Sequence, residues 1–501
     1  MLRTLVKDSA VYAVGTIASR LVGFIMIPVY TRVLTPADYG IIETIVRLVD
    51  IIGLLLSVGL AEALLRHYYL AKTDEERNRL IGTVLNLNLL VVIGGILVFY
   101  PLSPWMTRLA FGHDRYTHYV AVSLAAMMIG SLIELPLTLW RAEGKAWRFT
   151  AISLLKLLTQ LGTNIVLVVW LRWAVWGVVM SSFLNAALWS AVLGVLVRLR
   201  YGSYFDKRWL RPVLRYGLPL VPASLSLFIL NFGDRFFLTR YASTSELGLY
   251  SLAYRFAMLV STFYGVVSLA WGPWAFRVGE MDDGGLHIRR ATALVLLTFA
   301  AISSGIALMS LPAVRLMSAP SFWEAADYVP ALAFGYWLFV AQAPLSVGIR
   351  LARRTEYLTM TNGFSAATCL ALSFLLIPRY GVWGAVWTTV ISFAVLATVI
   401  FAVAQSVYPI RHDWAAVAIA VLIAAVPMMS NMVTLEAFWS DLIMRVSLIV
   451  FCIGLVGGYA ARMRTAQTNP SLVAQNGLLP KEHRHFGNLR ERLDCDWRNE
   501  T

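Results

Sequence analysis

Hydrophobic positions in this chain gather into long runs separated by short polar loops. A run of roughly 20 apolar residues spans a bilayer as a helix. Spans are predicted near 9–33, 41–64, 80–101, 118–140, 149–171, 174–197, 213–239, 247–274, 291–317, 325–349, 357–377, 382–407, 413–431 and 440–461. The apolar runs lack the apolar/polar alternation of a barrel strand, which leaves helices as the way to satisfy the backbone in lipid. The first span follows MLRTLVKDSA and is too long for a signal-peptide core, with no small-residue cleavage motif after it. It is predicted to stay as an uncleaved helix.

Composition agrees. The chain is 59% hydrophobic and 14% charged, with a mean hydropathy of +0.69. A soluble protein of this length covers itself with far more polar surface. Seventeen Trp and 21 Tyr suit the interfacial belts of a bilayer protein. The formal charge of +14 is spread over short loops rather than along one stripe, so nucleic acid is not an expected partner. By the span assignment, roughly 29 of the 42 Lys and Arg fall on the N-terminal side and about 8 opposite. Both termini are therefore expected in the cytoplasm. Cys369, Cys452 and Cys495 form no CxxC pair, and neither they nor His483 and His485 form a metal-ligand pattern. No Gly-rich phosphate loop is found, so no cofactor and no direct use of ATP are expected.

The chain repeats itself. TRVLTPADYG at 31–40 returns as TRYASTSELG at 239–248, an offset of about 208 residues. Thr31, Arg32, Asp38, Gly40 and Arg47 correspond to Thr239, Arg240, Glu246, Gly248 and Arg255. RWAVWGVV at 172–179 returns as RYGVWGAV at 379–386 at nearly the same offset. Two matches in one register imply two homologous six-helix bundles. The expected organisation is an N-terminal lobe at 1–200, a basic linker at 201–212, a C-terminal lobe at 213–408, two further helices at 409–461 and a polar tail at 462–501. At each corner the acidic residue sits where a helix N-terminus favours negative charge, and the glycine admits a neighbouring helix.

Ionised groups inside spans are costly and usually face a cavity or each other. The candidates are Arg20, Glu43, Arg47, Asp50, Glu134, Lys156, Asp234, Arg235 and Arg255. Glu43, Arg47 and Asp50 are spaced i, i+4, i+7 and so share one helix face. Arg20 and Asp50 lie roughly 14–16 Å deep and the matched pair Arg47 and Arg255 about 10 Å deep. Guanidinium groups at that depth suit a phosphate or carboxylate. Pairing of Arg47 with Glu43 or Asp50 inside its own helix is the competing reading; Arg235 is a further candidate for cargo contact, with outward snorkelling its alternative. Asp50, Asp234 and Glu43 are candidates to carry a proton or sodium ion, with ion pairing the alternative. Glu134 and Lys156 are expected to pair.

SRLVGFIMIPVYTRVLTPADYGIIET at 19–44, RHYYLAKTDEERNRLIGT at 66–83 and LGLY at 247–250 resemble the polysaccharide transporter family of the multidrug/oligosaccharidyl-lipid/polysaccharide exporter superfamily. The resemblance implies an all-α membrane protein of about fourteen helices, two bundles around a V-shaped central cavity, plus two C-terminal helices. It implies a flippase for undecaprenyl-diphosphate-linked oligosaccharides in the bacterial inner membrane, with polysaccharide polymerase machinery as an expected partner. Ser19, Arg20, Gly23 and Phe24 resemble the opening element of lipid II flippases, which marks Arg20 for cargo contact. A cation-coupled drug antiporter of the same superfamily is the main rival; it would favour acidic groups at depth. A polymerase or ligase would need a large external loop. The longest predicted here is Leu102 to Thr117, where His113 and His118 read as surface residues.

Overall fold

A computed structural model describes residues 24–281, 283–429 and 438–468. All regular structure among them is helical. Among the described residues eleven helices are long and apolar enough to cross a membrane, and Trp414–Met428 is a shorter apolar helix. Helix Glu356–Val407 holds two of the predicted spans. Gly381 adopts φ 54° and ψ −128°, and a Cβ on Gly384 would come within 2.4 Å of the Leu376 carbonyl oxygen. Eight residues of straight helix would separate those positions by about 12 Å, so the chain folds back on itself. The predicted span at 9–33 lies largely outside the described residues, as does the tail beyond 468.

Two expectations about element ends need correction. The segment from Leu102 to Thr117 is expected as a loop, yet helix Asp74–Phe111 continues through Pro101 and Pro104. Only Gly112 to Tyr116 remains as connection, and Gly112 ends the helix with φ 79°. The span at 41–64 is broken at Val58 and Gly59, both left-handed, into Pro36–Ser57 and Leu60–Leu70.

Sequence periodicity explains how helix Pro36–Ser57 is placed. Ile41, Ile45, Leu48 and Ile52 form one stripe, packed in a core with Val92, Leu124, Met128, Val175 and Val179. Glu43, Arg47 and Asp50 are displaced from that stripe by two residues, about 200° around the axis. Burying the apolar stripe therefore turns the charged stripe away from this core. Lipid gives helices little hydrophobic reason to associate, so close contacts and polar bonds must hold them.

Both repeated corners take the same shape. Thr35 and Asp38 form a reciprocal capping box, as do Ser243 and Glu246. Gly40 and Gly248 then meet each other. A Cβ on Gly40 would lie 1.9 Å from the Thr244 carbonyl oxygen, and one on Gly248 would lie 1.9 Å from that of Pro36. Only glycine permits helices Pro36–Ser57 and Thr244–Ala257 to cross so closely. The second repeat also matches in three dimensions: Ala174 and Gly381 occupy corresponding places and both have positive φ, 45° and 54°. Among the described residues, those up to Ile449 form one compact unit and those from Val450 onward form another.

Candidate functional site: a buried arginine–carboxylate network

The charged stripe of helix Pro36–Ser57 meets two elements from the second half of the chain, helices Asp234–Tyr241 and Thr244–Ala257. Glu43 is at the centre and 3% exposed. Its Oε1 accepts from Arg47 Nε at 2.8 Å and from Arg235 Nε at 3.0 Å. Its Oε2 lies 4.0 Å from Arg255 Nη2. Three guanidinium groups thus converge on one carboxylate.

Each arginine has further support. Arg47 donates from Nη1 to Asp50 at 2.7 Å and lies over the Phe232 ring at 4.1 Å. Arg235 donates from Nη1 to Asp234 Oδ1 at 3.0 Å and to the Asn231 carbonyl at 3.1 Å. Its guanidinium also stands 4.0 Å from the Tyr254 ring centroid and 5.3 Å from that of Tyr250. Arg255 lies over Tyr39 at 4.9 Å. The other oxygen of Asp234 accepts from the Tyr250 hydroxyl and from Thr389 at 3.2 Å. Arginine over an aromatic face adds quadrupole attraction that strengthens as water is excluded.

Of the nine candidates, Glu43, Arg47, Asp50, Asp234, Arg235 and Arg255 are brought into this network, and Arg20 lies outside the described residues. The alternative in which Arg235 snorkels outward is not what the structure has. It is 2% exposed, because two carboxylates and three aromatic rings give the guanidinium a complete polar and π shell inside the protein. Arg47 makes both intrahelical pairs that its spacing allowed. Glu134 and Lys156 make no ion pair within 4.0 Å among the described residues. Access to the network is uneven: the side chains of Arg235, Arg47 and Arg255 are 2%, 17% and 33% exposed.

Sequence reasoning missed Tyr250, Tyr254, Phe232 and Thr389. The i, i+4 spacing of Tyr250 and Tyr254, just before Arg255, was an available signal. Thr389 had none, since only the tertiary fold brings it to Asp234. The Gly40–Gly248 crossing lies three residues, just under one helical turn, from Glu43, about 4.5 Å along the axis. It bounds the network at that end.

The fold that carries this network is already known in structure. The fold is that of the lipid II flippase MurJ in an inward closed conformation, with a TM-score of 0.71 over 91% of this chain and 99% of that one at 13% identity. An inward-facing MATE multidrug transporter of the MOP superfamily aligns with a TM-score of 0.59 over 79% and 97%, at 16% identity. Residues 5–278 match the family described as polysaccharide biosynthesis protein, and the chain belongs to that family. Two curated relatives are similar. Lsg locus putative protein 1 of Haemophilus influenzae is 23% identical over 287 residues, 54% of this chain and 65% of that protein. Succinoglycan biosynthesis transport protein ExoT of Rhizobium meliloti is 22% identical over 281 residues, 55% and 53%. The chain thus spans between half and two thirds of the length of these curated relatives. It is a multi-pass membrane protein with a transporter fold.

Proposed function

We propose that this protein is a flippase moving undecaprenyl-diphosphate-linked oligosaccharide units across the bacterial inner membrane for polysaccharide synthesis, with both termini cytoplasmic. One observation carries the reading: three arginines from the two halves of the chain are gathered, within the membrane-spanning region, onto a single buried carboxylate. A diphosphate offers the same acceptor chemistry with more charge, and guanidinium groups fork onto its oxygens. Membership of a polysaccharide biosynthesis family supports a lipid-linked sugar as the cargo. The similarity to ExoT and to a lipid II flippase supports translocation rather than synthesis.

In this reading Arg255 and Arg47 meet the head group, with Arg20 as a third contact carried over from the family resemblance. Arg235 holds the two halves in register. The glycine crossing at Gly40 and Gly248 is the closed external lip, and turnover consists of one half rocking against the other so that this lip opens. An equal number of carboxylates and arginines gives no acidic surplus for an organic cation, which disfavours drug antiport.

The test is a deletion strain lacking this gene, in which lipid-linked oligosaccharide facing the cytoplasm is measured. Wild-type protein is expected to clear it. Arg47→Ala and Arg255→Ala, at equal membrane abundance, are expected to leave it accumulated. Full complementation by both variants would remove the anion site, and clearance independent of the protein would remove the flippase.

A further inference from the structure

The three acids of the network are held in different ways. Asp234 is anchored by uncharged donors, the Tyr250 hydroxyl and Thr389, in addition to Arg235. Asp50 has one partner, Arg47, and its side chain is 43% exposed. Glu43 is buried, and every group bonded to its carboxylate is a guanidinium. It is held by charge alone, with neither hydroxyl nor backbone donor fixing it. Three arginines face three carboxylates across the network, so its formal charges cancel.

We propose that Glu43 is a built-in stand-in for the anion of the cargo, holding the guanidinium groups on which a diphosphate head group docks, and that cargo binds by exchange with it. This rests on the reading of the cargo as an anionic lipid. The exposure gradient gives the route. The head group meets Arg255 first, whose contact with Glu43 is the longest of the three, and then Arg47. Glu43 is left on Arg235, which already binds Asp234. Two consequences follow from the position of Glu43. It sets specificity by strength, because only an anion that outcompetes a carboxylate for guanidinium groups can enter. It also couples loading to movement. Glu43 belongs to the first half of the chain, while Arg235 and Arg255 belong to the second, so an anion that takes Arg255 loosens a link between the halves.

The experiment uses full-length protein in detergent and geranyl diphosphate as the probe, with geraniol as the uncharged control, read by calorimetry. Glu43→Gln keeps the shape and removes the internal competitor. It is expected to bind geranyl diphosphate at least about tenfold more tightly than wild type, with a steeper loss of affinity in salt. The double variant Glu43→Gln/Arg255→Gln restores neutrality and is expected to return within about threefold of wild type. Glu43→Asp keeps the charge on a shorter stem and guards against a misfolded Gln variant; it is expected to fall between wild type and Glu43→Gln. Unchanged or weaker binding by Glu43→Gln in folded protein, or Glu43→Asp identical to wild type where Glu43→Gln does not fold, overturns the inference while leaving the anionic cargo standing. If wild type and every variant fail to distinguish the diphosphate from geraniol, the anionic cargo itself is wrong and the inference falls with it.

Discussion

Replacing Gly40 or Gly248 with alanine adds one methyl group where two helices cross at backbone distance. That methyl carbon would stand 1.9 Å from a backbone carbonyl oxygen, whereas ordinary contact begins at 3.4 Å. The helices must therefore part by roughly 1.5 Å, since a carbonyl in a helix cannot rotate aside as a flexible side chain can. Overpacking of this kind costs about 1–3 kcal/mol. If the crossing exists only in the closed state, the whole cost falls on that state, and its population against the open form drops about 5–150-fold. Spin labels at Arg32 and Tyr241, both exposed beside the corners, report the change as a longer distance component in pulsed electron resonance. Gly94→Ala is the control: it is helical, and nothing lies within 4 Å of its added methyl. It is expected to leave the distances unchanged and to stabilise by about 0.5–1 kcal/mol. Distance distributions and melting temperatures identical to wild type in both corner variants would refute the closed glycine crossing.

Other outcomes follow from the same geometry. Arg235→Ala leaves Glu43 and Asp234 buried with fewer partners and is expected to destabilise the detergent-solubilised protein by about 3–5 kcal/mol. Arg255→Ala, with the side chain one third exposed and its carboxylate at 4.0 Å, is expected to cost about 1 kcal/mol or less in the same melt while losing transport. Gly381→Ala forces a side chain into a backbone region essentially reserved for glycine and is expected to cost about 1–3 kcal/mol by thermal unfolding. Its counterpart Ala174→Gly should fall within about 1 kcal/mol of wild type on the stabilising side. His412, in the connection after Val407, has its pKa lowered by burial and then by Arg289. The unfolded chain therefore takes up a proton that the folded one resists, so stability is full above about pH 6.5 and declines as the pH falls below it. His412→Gln should flatten that slope in melts between pH 7.5 and 5.5.

What the sequence determined by itself is the set of properties that depend on neighbours along the chain. Run length is a local quantity, so the spans were legible from Pro36 to Arg462. So was the shared face of Glu43, Arg47 and Asp50, because helical spacing alone fixes it. Duplication was legible too, and the matched capping boxes at Thr35 and Ser243 and the matched positive φ at Ala174 and Gly381 are its local consequences. Helix ends were less legible. Prolines in lipid can be carried inside a helix whose freed groups find other partners, which is why Asp74–Phe111 ran past Pro101.

Partner choice belonged to the tertiary structure. An intramembrane arginine must find compensation, and sequence states that need without saying what meets it. The burial of Arg235 depends on Glu43, 192 residues away, and its partner Asp234 depends on Thr389, 155 residues away. The same holds for Gly40 and Gly248. Each glycine permits a close approach, but only the packing of the two halves decided that they approach each other.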